Sequence, residues 1–222
     1  MISQVSSAEV LLDYGTYKYF ENDNLKNIEE LWTQHKLDDT IITRVKRLAP
    51  DFDQYFDVQT WARAGQFQRA FLGWRSSSQS ATAEYRFKES RWILERTVNG
   101  LISTDEVTTE VVFSPLMRVF TGESIQKIIG RGGAADVLVP WIKDPSTPEK
   151  MFSINISNRR ANCLDAVAKL YSYQGEQYDE NARFCLDEND LLLRYEWRMN
   201  ASSKWRVELA RPALSQLNAD WL

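Results

Sequence analysis

A chain of 222 residues with 43% hydrophobic content is long enough for one domain with a substantial core, or one domain with an appendage. The formal net charge of -4 and pI near 5.2 argue against a general nucleic-acid binder. No apolar run is long enough to span a bilayer, and the first residues lack the basic start and continuous apolar stretch of a secretory signal.

Cys163 and Cys185, the only cysteines, are too few for a disulfide scaffold and cannot form a CxxC site. Reduced thiols in a cytoplasmic protein are the expectation. From residue 7 to 20, Val10, Leu11, Leu12, Tyr14, Tyr17 and Phe20 suggest a short helix. Leu25, Ile28, Leu31, Trp32 and His35 recur at helical spacing behind a capping Asp23 or Asn24. A further short helix would carry Ile41, Ile42, Val45 and Leu48 on one side, with Lys46 and Arg47 near its C-terminus and Pro50 as its stop. Asp51–Gln68, rich in aromatic and acidic residues, reads either as helix or as irregular connector.

The pattern changes near Phe71. Ala83, Tyr85 and Phe87 alternate with Glu84, Arg86 and Lys88, and Trp92, Leu94 and Val98 alternate with Arg91, Glu95 and Asn99. Lys88–Ser90 reads as a turn, and Asn99-Gly100 is a hairpin signal. Thr108–Phe113 is a β-branched run. Residues 124–129 read as one helical turn, followed by a loop at Gly130–Gly133. Val137–Ile142, Met151–Ile156, Ala166–Tyr173 and Arg183–Leu186 read as extended, with a break at Asp144–Pro148.

In the last stretch Leu191, Leu193, Tyr195 and Trp197 oppose Leu192, Arg194, Glu196 and Arg198. Trp205, Val207 and Leu209 oppose Lys204, Arg206 and Glu208, across a turn at Asn200–Ser203. A period of two over this length signals strands with one buried face. The pattern predicts about eight or nine antiparallel strands in an up-and-down meander or calycin-like barrel, mainly β or α+β. It divides the chain into a helical segment at 1–66 and a β-barrel at 67–222.

Chemistry-bearing motifs are few. His35, the only histidine, removes most histidine-dependent metal sites and reads as a hydrogen-bonded core residue, and no metal site is expected. Gly130-Arg131-Gly132-Gly133 lacks both the GxxxxGK[ST] and the GxGxxG spacing and reads as a turn. Eight tryptophans, nine tyrosines and ten phenylalanines allow either a large core or a pocket lined with rings such as Trp74, Tyr85, Trp92 and Trp205. The charged strand positions, Arg194 and Glu196 among them, form a solvated outer face if the rings are the core. If the interior is polar, they would instead bind carboxylates and exchange protons.

Gly73-Trp74-Arg75-Ser76-Ser77, Val139–Pro145, Leu193-Arg194-Tyr195-Glu196 and Trp205–Arg211 stand in the order of the S-type phycobilin lyases, and residues 67–212 resemble that family of calycin-like barrels. The resemblance implies binding of an open-chain tetrapyrrole and its delivery to a cysteine of an acceptor protein. It implies Arg75, Arg194, Glu196 and Arg211 as contacts for propionates and pyrroles; the proton exchange open to a buried glutamate makes Glu196 the candidate catalytic residue. Three readings follow. One is a barrel binding a small hydrophobic or conjugated molecule, as carrier, lyase, cyclase or isomerase. Another is a non-enzymatic module docking a partner. The third is a cone-shaped α+β fold with an enzyme site at its mouth. No resident cofactor beyond a bound tetrapyrrole is expected, and whether the chain is an enzyme stays open.

Overall fold

The computed structural model describes residues 8–108, 110–140, 150–159, 169–175, 178–213 and 215. These contain fifteen strands in a single sheet. In chain order, β1 (Val10–Glu21), β2 (Asn24–Leu37), β3 (Thr40–Ala49), β4 (Gln54–Arg63), β5 (Gln66–Arg75), β6 (Ser80–Lys88), β7 (Arg91–Val98) and β8 (Leu101–Thr108) form one antiparallel run. After β9 (Val112–Phe113), helix α1 (Thr121–Ile129) and β10 (Ala134–Val139), a second run comprises β11 (Lys150–Arg159), β12 (Lys169–Gly175), β13 (Tyr178–Leu186), β14 (Leu192–Asn200) and β15 (Ser203–Ala210). β1 pairs antiparallel with β15, which joins the two runs. Among the described residues β8 and β9 are the two edges, and only the β9–β10 pair is parallel.

Tight turns drive the meander. Asn22-Asp23, Ala64-Gly65, Glu89-Ser90 and Asn99-Gly100 each place two consecutive residues at positive φ, the geometry of two-residue hairpins that match strand twist. Register shifts between Leu11 and Asp13, Lys18 and Phe20, and Trp61 and Ala62 add bulges, and bulges increase local twist and bend a strand. The sheet therefore curls. Its edge strand β9 lies against the concave face, with the Phe113 ring 5.8 Å from Phe67 on β5, 5.1 Å from Tyr85 on β6 and 4.3 Å from Trp92 on β7. Such aromatic pairs contribute about 0.5–1.5 kcal/mol each beyond area burial. On the other face of β9–β10, Val112 and Val137 pack with Ile128 of α1. The chain from Val112 to Ile129 thus fills the inside of the curl.

Gly122 fixes where α1 begins. A Cβ there would lie 1.6 Å from the Asp190 carbonyl oxygen, so only glycine lets the helix pack on the turn between β13 and β14. Glu123 and Lys127, one helical turn apart, form an ion pair at 2.6 Å. The helix includes the turn expected at 124–129, and Gly132 and Gly133, both at positive φ, make the loop that follows.

The mainly β class stands, but the N-terminal helices do not. Residues 10–63 form β1–β4, and the sheet continues across residue 66 through the β4–β5 pair. The helical spacing of Leu25, Ile28, Leu31, Trp32 and His35 arises because β2 is buried on both faces. Ile28, Glu30 and Trp32 point inward, while Thr33 and His35 are buried on the opposite face. The described residues form fifteen strands rather than eight or nine, and Thr108–Phe113 is divided between the end of β8 and the two residues of β9. Cys185 is disulfide-bonded, which corrects the expectation of reduced thiols. Cys163 and the break at Asp144–Pro148 lie outside the described residues.

Candidate functional site

Three side chains on the concave face are brought together by register. Tyr17 stands opposite Glu30 across β1–β2, and Glu30 opposite Arg47 across β2–β3. Glu30, fully buried at 0% exposure, accepts hydrogen bonds from the Tyr19 hydroxyl at 2.9 Å and from Arg47 Nε at 2.9 Å and Nη2 at 2.6 Å. It also accepts the backbone N–H of Arg118. Arg47 Nη2 reaches the Leu116 carbonyl at 3.2 Å. A buried carboxylate persists only when its lone pairs are met by such donors. Here the donors come partly from the internal segment, so the cluster ties residues 116–118 to β2 and β3. Burial, reinforced by Glu30 and opposed by Arg47, pushes the Tyr19 phenol up to about 12, so it stays a donor.

Above this cluster opens a cleft of about 290 Å³. Its walls include Tyr19, Ile28, Phe56, Leu116, Trp197 and Trp205, and Arg47 and Arg118 also line it. Arg118 lies 4.8 Å over the Tyr195 ring, and Tyr195, Trp197 and Trp205 stack in a row at 4.5 and 5.7 Å. At the mouth Phe52 and Met199 are 48% and 67% exposed although both line the cleft.

A second, more polar cavity, about 520 Å³, mixes carboxylates and amides with apolar groups such as Trp32, Ile41 and Phe67. Val119 and Phe120 line it together with Asp13, Glu123, Gln126, Asp187 and Asp190. Its carboxylates have structural work. Asp190 accepts from Gln126 and Lys169, both at 2.7 Å, and Asp13 pairs with Arg211 at 2.6 Å. Asp187 accepts the backbone N–H groups of Asn189 at 2.9 Å and Leu191 at 2.8 Å. Burial raises the Glu123 carboxyl against the lowering pull of Lys127. Among the described residues no group of three or more His, Cys, Asp or Glu is arranged to hold a metal.

The structure scatters the residues singled out from sequence. Trp205 lines the apolar cleft. Tyr85 and Trp92 are core rings around Phe113, and Trp74 is buried on β5, opposite Phe56. Arg75 lies over the Tyr55 ring at 4.9 Å. Arg211 reaches Asp13 beside the polar cavity and lies 5.2 Å over Trp32. Glu196 alternates with Tyr195 and Trp197 and so faces away from the cleft. It pairs there with Arg194 and stands 3.8 Å from Lys204, beside Arg183 and Arg198. Arg194 also lies 3.7 Å from Glu208.

Sequence reading missed Glu30, Arg47, Tyr19 and Arg118. The signal was present in Ile28-x-Glu30-x-Trp32, a charge in an apolar row of period two, hidden under the helical spacing.

No protein-family model matches the sequence, and no curated protein matches it. Among solved structures, the chain is similar to a β-barrel-like protein of a domain of unknown function, DUF1849, from Brucella abortus. The identity is 8% and the TM-score 0.48, over 91% of this chain and 98% of that one. Of the lyase resemblance, the mainly antiparallel β architecture is the part that the chain's own sheet shows. No helix among the described residues is long and apolar enough to cross a membrane.

Proposed function

We propose that the protein is a small-molecule-binding barrel that holds a compact apolar ligand in the cleft above Glu30 and Arg47. The observation that carries this reading is the cleft's apolar wall, five of whose members are aromatic rings, with Phe52 and Met199 left exposed at its mouth. Unfilled apolar surface costs about 25 cal/mol per Å² relative to burial, so a ligand that covers these rings is favoured. The volume is near the lower end of the roughly 300–1,000 Å³ typical of small-molecule pockets, which favours a ligand of modest size.

The proposal does not extend to chromophore attachment. Of the residues assigned to that chemistry, Trp205 reaches the cleft, whereas Glu196, Arg75 and Arg194 lie elsewhere. The disulfide at Cys185 favours an oxidising compartment over the cytoplasm.

The test uses N-phenyl-1-naphthylamine, a neutral aromatic probe that fluoresces on entering apolar sites. Saturable one-to-one binding that quenches tryptophan emission is expected. Trp197→Ala should weaken it about tenfold or more, the loss of a large aromatic contact at a binding centre, while Arg75→Gln should leave it unchanged. No saturable binding, or binding indifferent to Trp197, would overturn the reading.

A further inference from the structure

Resting on that reading of the cleft, we infer that its ligand is an amphiphile with an anionic head, a carboxylate or sulfonate seated on Arg47 with its apolar body against the rings. Arginine carries five N–H donors in a fixed fork. The Nε and Nη2 edge of Arg47 is committed to Glu30 and to the Leu116 carbonyl. Its Nη1 has no acceptor among the described residues, and the side chain lines the cleft. The remaining edge is therefore held in place by the buried carboxylate behind it, in an apolar surrounding where a charge-assisted hydrogen bond is strong.

The charge of the wall points the same way. Among the described residues the cleft is lined by Arg47 and Arg118 and by no carboxylate. Glu30 is sealed beneath Arg47 at 0% exposure and cannot meet a ligand. Arg47 also lies 5.8 Å over the Tyr19 ring and 5.7 Å over Phe56, which fixes the guanidinium plane. A preorganised donor loses little entropy on binding. A neutral apolar molecule would cover the rings but leave that donor edge desolvated without an acceptor, which costs free energy. A cationic ligand would be repelled.

The experiment compares two probes with nearly the same ring body, anionic 1-anilinonaphthalene-8-sulfonate and neutral N-phenyl-1-naphthylamine, on the full chain. The sulfonate is expected to bind at least tenfold more tightly, and Arg47→Met should abolish that preference while the neutral probe still binds. Because Arg47→Met leaves Glu30 buried without its partner, the double variant Glu30→Gln, Arg47→Met is measured beside it, with folding checked by circular dichroism. Decanoate should displace the neutral probe and decanol should do so more weakly. Equal affinity of the two probes for the native chain would overturn the anionic head and leave the cleft reading standing. So would a preference that survives in the folded double variant. Failure of both probes to bind would overturn the cleft reading itself.

Discussion

The cleft and the polar cavity differ in what their walls require. Leu116 and Arg118 line the first, and Val119 and Phe120 the second, so one short segment serves both. The polar cavity is the larger, at about 520 Å³ against 290 Å³, yet its carboxylates are bonded to lysine, arginine, glutamine or loop amides. Water can fill such a space at little cost, because polar partners for it are at hand. The cleft has apolar walls that water satisfies badly and a guanidinium edge fixed from behind. Size alone would favour the larger cavity, whereas the chemistry of the lining supports the cleft as the proposed site.

The sharpest way to break this contrast is Glu30→Ala. It removes the acceptor shared by Tyr19, Arg47 and the Arg118 N–H. Removing one partner of a buried charge pair costs about 3–5 kcal/mol. Urea unfolding should show that loss, and in the remaining folded protein probe binding in the cleft should fail. A loss under about 1 kcal/mol would mean that the cluster does not hold the internal segment.

Alkaline pH tests the same cluster more gently. The Tyr19 phenol ionises near 12 in the folded chain against an ordinary 10.0. Between those values the unfolded chain releases its proton first, so the folded state binds more protons and stability falls as pH rises. The loss is up to about 2.7 kcal/mol, from 1.36 kcal/mol per unit, and none is expected below pH 10 from this group. Tyr19→Phe should remove that part of the slope in urea titrations at pH 10 to 12. An unchanged slope would contradict it.

Gly122→Ala probes the polar end. The new Cβ would meet the Asp190 carbonyl oxygen, so α1 or the turn between β13 and β14 must shift. Overpacking of this kind costs about 1–3 kcal/mol. Melting should report that cost while affinity in the cleft stays within twofold. A large drop in affinity would show that the two ends are coupled through residues 116–120.

Much of the second half was legible because its strands have one wet face. Ala83–Phe87, Trp92–Val98 and Trp205–Leu209 alternate cleanly, and Asn99-Gly100 gives its turn away. β2 was not legible, since burial on both faces replaces alternation with a spacing that a helix also satisfies. Even in β14 the register shift between Cys185 and Leu186 buries Leu192, where strict alternation would have chosen Leu193. The site was harder still. Trp205 could be picked as a ring on the inner face, but Glu30, Arg47 and the Arg118 N–H are distant in sequence and meet through strand register and an internal loop.

The sequence by itself determined the mainly antiparallel class and, in the later strands, the hairpin turns at Lys88–Ser90, Asn99-Gly100 and Asn200–Ser203 and the inward rows. Side-chain period and turn chemistry are local, and their physics acts between near neighbours in the chain. Tertiary structure alone decided that β1 pairs with β15, that β9 and α1 fill the curl, and that an arginine rather than Glu196 faces the cleft. These depend on which face of a strand is enclosed when the sheet rolls up, and a single strand's alternation is the same whichever way it turns.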